Sequence, residues 1–339
     1  MNANPDDLTL IDIARRYSTE ESARAYFESI RWPNGPVCPH CDNANTASIY
    51  NLTANATTDK NKRVRPGLYR CAACGQSFTV TVGTVMEDSH IPLTKWLLAF
   101  YIMAASKTQV SALQLQRQLE LGSYRTALHM CHRIRFALSD VGLVTAKLTG
   151  TVEADETWIG GKHKGGGRGY VDNKVPVVSM VERDGIVRST VVDHVNARTV
   201  GALLDEHVST DAVLNTDESS VYTRHGKRFA GHDTVNHSEG EYVRHDRKTN
   251  RIATTNAAEG FFGNCKRSIS GTHHRTGVHL PLYFAELDFK YNQRKVTDGK
   301  RAVAWIGRIG GRRLTYRKID TTRHDEAGVT VAAMTPRKG

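Results

Sequence analysis

The sequence predicts a multidomain protein, α+β in its N-terminal part and α/β in its second half. Three observations predict it. Two CxxC pairs bracket a stretch with little helical periodicity, at Cys38/Cys41 and Cys71/Cys74. Apolar residues at helical spacing then dominate from Pro92 to Leu138. From Thr151 onward, apolar strands separated by turn residues give way to further helices. A chain of 339 residues is long enough for two or three such units.

The first unit, 1–35, is expected to be helical. Ser18 with Glu21 fits a capping box, and Ala23, Tyr26, Phe27 and Ile30 recur at helical spacing. The breakers WPNGP, Trp32 to Pro36, end it. The second unit, 36–88, holds VCPHC and YRCAACGQSFTV, two CxxC turns each leading into a short strand, which is the pattern of a zinc ribbon. Cys38, Cys41, Cys71 and Cys74 supply four thiolates, a closed tetrahedral set for structural Zn²⁺. The pairs are separated by 29 residues, so one hairpin carries an insertion. That insertion holds Lys60, Lys62 and Arg63, a basic finger suited to phosphates. His40 is a bystander, and Cys131 and Cys265 are isolated small hydrophobes.

The third unit, 90–145, reads as three helices: one opened by Pro92, one over Val110 to Leu119, and one capped by Ser123 and running to about Leu138. The turn LGS and the third helix, with Tyr124, Arg125, His129, His132, Arg133 and Arg135, fit a helix-turn-helix; a generic three-helix packing unit fits as well. Arg125 and Arg133 are its candidate DNA contacts.

The fourth unit, 146–295, begins with the strand TVEADETWI. Lys174–Arg183 and Ile186–His194 form a hairpin turning at Arg183-Asp184-Gly185, Ala197–His207 a helix, and Ala212–Asp217 another strand. Thr255–Ser268 and Leu280–Lys295 read as helices. That order is compatible with a ribonuclease H-like mixed sheet with flanking helices. The last segment, 296–339, has ten Lys or Arg against four Asp or Glu and is expected to be a basic tail, with a short structured piece around Trp305 to Ile309.

Net charge is +11, which makes a polyanion the expected partner, because neutralising phosphates releases counterions. A merely basic soluble or ribosomal protein shares that charge. The longest apolar run, Trp96 to Ala105, has ten residues and cannot span a bilayer. With no signal-peptide layout in MNANPDD, the expectation is a cytoplasmic, nucleoid-associated protein without a membrane partner. There is no P-loop, no GxSxG elbow and no HExxH, and neither CxxC pair has the upstream H-x-E of a zinc deaminase.

Within this basic chain three acids stand out. Asp155 shares a strand face with Glu153. Asp217 ends the strand AVLNTD, and Glu259 lies on a helix whose Ala258, Phe261, Phe262, Cys265 and Ile269 form the apolar stripe. Singly, each has a plainer reading: a strand-end turn residue, a cap, and a capping-box partner of Asn256. Together, two apolar strands both ending in acid point to convergence. Two like charges ~4 Å apart repel by roughly 4 kcal/mol at an effective dielectric near 20, so such a cluster protonates or binds cations. Oxygen ligands select Mg²⁺ or Mn²⁺, and two such ions form the known clamp for phosphodiester cleavage. Lys266, on the face of Glu259, is placed to hold a phosphate. His273 and His274 follow the same helix and are the best placed of the nearby histidines for phosphate contact or proton transfer; Glu286 is a further acid. The glycine-rich loop GGKHKGGGRG, with Lys162, Lys164 and Arg168, is basic enough to contact DNA.

The blocks WPNGPVCPHC, CAACGQSFTVTVGTVMEDSHIPLTKW, VEADETWIGGK, NTDESSVY, TNAAEGFFGNCKRSISGTHHR and YFAELDFKYNQRK resemble, in order and wording, the zinc-ribbon DDE transposases of bacterial and archaeal insertion sequences. The resemblance implies a ribonuclease H-like catalytic domain at 146–295, binding of double-stranded DNA at the element's terminal inverted repeats, and a divalent-metal cut. The freed 3′-hydroxyl then attacks target DNA. It places the family's acids on Asp155, Asp217 and Glu259 and its basic residue on Lys266. Some members use Asn as the third ligand, and Asn256 lies one turn from Glu259. Two element ends must meet, which implies a homodimer or larger assembly on DNA. The rival readings are a non-catalytic DNA-binding regulator built from residues 1–145, and a nuclease of the same fold that cuts without joining.

Overall fold

The computed structural model describes residues 8–52, 65–139, 146–161, 174–247, 250–273 and 277–315. The chain divides into two compact units, one from Met1–Leu138 with Val296–Gly339 and one from Ser139–Lys295.

The first unit opens with α1 (Leu10–Arg16) and α2 (Glu20–Arg31). The N-cap of α2 is Thr19, whose hydroxyl accepts the Ser22 N–H, one residue later than the Ser18 cap expected. Ala23 and Phe27 bury the apolar stripe of α2. Three short antiparallel strands follow: β1 (Ile49–Asn51), β2 (Tyr69–Cys71) and β3 (Ser77–Phe78). Trp32, which ends α2, packs edge-on against Tyr69 and Phe78, so the strands and α2 share one small core. The carboxylate of Glu20 caps the next helix, α3 (Leu93–Ala105), accepting the N–H groups of Leu93 and Thr94. This substitutes for the hydroxyl that Pro92, the N-cap residue, lacks. Then come α4 (Ala112–Gln118) and α5 (Tyr124–Phe136), with Ser123 capping α5 as its sequence predicts.

The second unit is a five-stranded mixed sheet with helices on both faces. Its elements are β4 (Thr151–Ile159), β5 (Val175–Glu182), β6 (Val187–Val191), α6 (Ala197–His207), β7 (Val213–Asp217), α7 (Ser220–Gly226), β8 (Gly231–Val235), a ribbon of β9 (Val243–Asp246) and β10 (Arg251–Thr254), α8 (Asn256–Ile269) and α9 (Leu280–Asn292). Strand order is β6-β5-β4-β7-β8. The meander β4-β5-β6 is antiparallel, and β7 and β8 join in parallel. On one face Val152, Ala154, Met180 and Leu214 pack with Val200 and Leu204 of α6 and Tyr222 of α7. On the other, Val177, Val181 and Ile159 pack with Phe261, Phe262 and Cys265 of α8 and Phe284 of α9. A fully buried aromatic contributes about 2–3 kcal/mol, so this second layer fixes α8 firmly against the sheet. The edge strand β6 is closed off by Asn292, whose amide pairs with both backbone groups of Val187 at 2.7 and 3.0 Å.

The chain then returns to the first unit as α10 (Asp298–Ile306), over residues expected to begin a basic tail. Trp305 is fully buried and its indole N–H donates to the Ile134 carbonyl at 2.9 Å. The apolar stripe of Ala302, Trp305 and Ile306 outweighs the surrounding charge. Among the described residues, no helix is long and apolar enough to cross a membrane.

Candidate active site

The acids come together because of strand register. Parallel pairing of β4 with β7 sets Thr151 beside Val213, Val152 beside Leu214 and Glu153 beside Asn215. Asp155 and Asp217 each follow the last of these pairs by two residues, and strand alternation points both to the face of Glu153 and Asn215. The Asp155 carboxylate accepts the N–H of Glu156 at 2.8 Å, and Asp217 accepts that of Ser219 at 3.0 Å. Burial pushes the Asp155 carboxyl up to about 7, helped by the negative charges of Glu156, Asp217 and Glu259. Asp155 therefore feels the charge of all three other carboxyls.

Glu259 approaches from the first turn of α8. Its Oε1 lies 3.2 Å from Nε2 of His237 and 3.3 Å from the Thr255 hydroxyl. Asn256, at the N-terminus of α8, is exposed, and Lys266, two turns beyond Glu259, is exposed as well. Among the described residues, the four cysteine sulfurs are the only group of three or more His, Cys, Asp and Glu donors lying within 4.8 Å of one another. Asp155, Asp217 and Glu259 are grouped more loosely than that.

Glu153 is not part of the acid cluster, although it shares a strand face with Asp155. It is 1% exposed and pairs with Arg183 at 2.9 Å. Its other oxygen accepts the N–H groups of Ala257 and Ala258 at 2.7 and 3.2 Å, so it caps α8. Glu286 is fully buried in an ion pair with Lys290 at 2.7 Å. The His273 ring stacks on Tyr283 at 3.9 Å between centroids; His274 lies outside the described residues.

Sequence reasoning gave four neighbours no role in the site. Glu156, on the opposite face from Asp155, accepts the hydroxyl of buried Tyr222 at 2.6 Å, and burial raises its carboxyl. Glu218 accepts the N–H groups of His237 and Ser238 at 3.0 and 3.2 Å, and the Ser238 hydroxyl. Those bonds, the Ser238 hydroxyl first, hold Glu218 down at about 2. Glu156 and Glu218 each adjoin a predicted acid, and that adjacency was their only signal. His237 stood only as one of several histidines between His225 and His279, and Tyr242 gave no signal.

In the first unit, Cys38, Cys41, Cys71 and Cys74 form the cysteine group. The sulfurs of Cys38 and Cys74 are 3.7 Å apart, and those of Cys41 and Cys71 3.8 Å. Zn–S bonds of about 2.3 Å at tetrahedral angles require sulfurs about 3.8 Å apart, so the spacing fits zinc. The Cys71 thiol is held down at about 6, chiefly by the Asn43 amide donating to its sulfur.

The expected reading helix is only partly available. Tyr124 and Arg125 are exposed at the start of α5. Arg133 does not belong on such a face: it is 7% exposed, and its guanidinium donates to the Glu87 carbonyl and lies over the Trp96 ring. His132 and Arg135 are buried too. Helical periodicity places Arg133 on the inner side of α5, where charge alone had suggested a surface. Lys60, Lys62, Arg63, Lys162, Lys164 and Arg168 lie outside the described residues.

Comparison with known proteins bears on the whole arrangement. The family profile described as "ISXO2-like transposase domain" matches residues 147–292, and that described as "Transposase zinc-ribbon domain" matches residues 18–77. A curated relative, "Uncharacterized protein in transposable element ISH50" of Halobacterium salinarum, is 26% identical over 249 residues, covering 68% of this chain and 79% of that protein. A solved structure of the simian T-cell lymphotropic virus intasome, in complex with PP2A regulatory subunit B56 gamma, is 14% identical at a TM-score of 0.27, covering 56% of this chain and 65% of that one. A likeness at that score carries no weight. With an insertion-sequence zinc ribbon and an insertion-sequence transposase domain matched in one polypeptide, in that order, the chain belongs to the IS1595-type DDE transposases.

Proposed function

We propose that this transposase binds the terminal inverted repeats of its own insertion sequence, cuts one strand at each end and joins the freed 3′-hydroxyl to target DNA. The observation that supports this reading is the register that runs β4 alongside β7 towards Asp155 and Asp217, with the Asp155 carboxyl raised to about 7 by burial first and then by the charges of Glu156, Asp217 and Glu259. A buried carboxyl with further acids around it favours a bound cation, and all-oxygen donors select Mg²⁺ or Mn²⁺. Asp155, Asp217 and Glu259 would hold two such ions, with Asn256 as the alternative third ligand. When bound, the ions supply charge stabilisation at the attacking and leaving oxygens.

The chain's own residues do the rest. The adjacent strands β4 and β7 would fix the separation of Asp155 and Asp217, and α8, capped by Glu153, would set the approach of Glu259. Lys266 lies about 10 Å further along α8, at seven residues of 1.5 Å rise, and would hold a neighbouring phosphate. The cysteine site would hold structural zinc, and the exposed start of α5, at Tyr124 and Arg125, would contact DNA. The working form is a homodimer or larger assembly on DNA in the cytoplasm, at the nucleoid.

The test is an assay of cleavage and joining on duplexes that end in the element's inverted repeat. Wild type with Mg²⁺ or Mn²⁺ is expected to nick and join. Asp155→Asn and Asp217→Asn should bind DNA and do neither. Joining retained by both variants overturns the assignment, cutting without joining by wild type reduces the protein to a nuclease, and activity from residues 1–145 alone favours a regulator.

A further inference from the structure

We propose that Tyr242, with Val243, His245 and Ile252 of the ribbon that follows it, forms a stacking platform for an unpaired nucleobase beside the cut. The proposal rests on the DNA-cleaving reading above and gives it a ligand contact that the acids do not supply. Tyr242 is 57% exposed, and Val243 and Ile252 of the ribbon are 53% and 46% exposed. Large apolar side chains grouped on one short element mark a contact surface. Pairing sets Val243 opposite Thr254 and His245 opposite Ile252, so Val243, His245 and Ile252 share the outward face, while Ala253 is buried on the other.

The platform adjoins the acids. The Tyr242 ring lies 5.3 Å from that of His237, at an interplanar angle of 53°. His237 Nε2 in turn lies 3.2 Å from Glu259 Oε1 and 3.1 Å from the Thr255 hydroxyl. One side chain thus separates the exposed ring from a proposed metal ligand.

The turn that carries His237 is firmly held. Glu218, which follows Asp217 directly, accepts the backbone N–H of His237 and of Ser238. Asn236 accepts the Glu239 N–H through its side chain at 3.3 Å and donates its own N–H to Glu241 at 3.1 Å. The ring is therefore tied through one turn to the strand end of Asp217 and to the helix of Glu259.

Charge decides the occupant. Arg244, His245 and Arg247 follow Tyr242 within five residues and are exposed, and the whole chain carries +11, so a nucleic acid is drawn to this surface. An aromatic face accepts any base. A base within a duplex is already stacked, so the base that gains is one freed by fraying or extrusion at the cut.

The experiment titrates the full-length protein, without Mg²⁺ or Mn²⁺, with two probes. One is a blunt duplex; the other has the same length and a mismatched, frayed end; each carries 2-aminopurine at its last base. Wild type is expected to prefer the frayed probe and quench its fluorescence. Tyr242→Ala should lose about tenfold in affinity for that probe, with blunt-duplex binding unchanged, and Tyr242→Phe should behave as wild type. Equal binding and quenching by wild type and Tyr242→Ala overturns the platform. So does a Tyr242→Ala variant whose only change is weaker self-association in sedimentation without DNA, which makes the ring a subunit contact. Cleavage by wild type is scored in parallel. Cutting without Tyr242-dependent stacking removes the platform alone; stacking without cutting keeps the platform and removes the cleavage reading. Binding to neither probe overturns both.

Discussion

Glu153 accepts the backbone N–H of Ala257 at 2.7 Å, joining the central strand of the sheet to the N-terminus of the helix that carries Glu259. Its other oxygen meets Arg183 at 2.9 Å. Removing one partner of such a buried pair leaves the other uncompensated. Glu153→Ala is expected to destabilise the second unit by about 3 kcal/mol, tempered by the partial exposure of Arg183, while Glu153→Gln, which still accepts from α8, should lose clearly less. Urea midpoints of the two variants check this. Equal losses would show that the α8 N–H groups do not depend on this oxygen.

Asp155 gives a pH signature. Its folded-state carboxyl stands at about 7 against an ordinary 3.8, so the unfolded chain gives up the proton first. Stability is undiminished below about pH 4, falls as pH rises towards 7, and stays low above it. Asp155→Asn, without added divalent ions, should match wild type near pH 4 and exceed it at pH 8 by up to about 4 kcal/mol. Urea unfolding at the two pH values measures the difference. Saturating Mg²⁺ or Mn²⁺ should stabilise wild type at pH 8, by about 2.7 kcal/mol at a hundred times Kd, and leave Asp155→Asn unchanged.

The cysteine group should behave as a folding site. Cys71→Ser is expected to lose bound zinc and to lower the thermal transition of the first unit while leaving that of the second in place. Metal analysis with calorimetry reads both. Full retention of stability by a zinc-free variant would separate the ribbon's fold from the metal.

Arg125 and Arg133 should part company. Arg125→Ala, at an exposed position, is expected to weaken DNA binding, to reduce the salt slope by about one and to leave stability unchanged. Arg133→Ala should instead cost roughly 2 kcal/mol of stability, because its buried guanidinium serves the Glu87 carbonyl. Salt-dependent binding isotherms and urea melts on both variants distinguish the roles.

Much of this could be read from the chain because strong local signals agreed with the fold. The helix Ala197–His207 was bounded by its sequence, and the stripe from Ala258 to Ile269 is the buried face of α8. Asp217 stood out because an apolar strand ends on it. Glu153 was misleading: alternation puts it on the face of Asp155, and only the tertiary position of α8 shows what it binds. Residues 218–254 stayed unassigned because β8, GHDTV, and β9, VRHD, lack apolar alternation, so α7, β8 and the ribbon had no periodic signal. Trp305 was noticed, but its partner Ile134 lies 171 residues away, beyond any local pattern.

The most direct measurement is a crystal of the full-length protein soaked in Mn²⁺ and examined by anomalous diffraction. The account predicts a peak between Asp155 and Asp217, with carboxylate oxygens of both at about 2.2 Å and Glu259 drawn in from its contact with His237. Ordered carboxylates with no manganese peak beside Asp155 and Asp217 would contradict it.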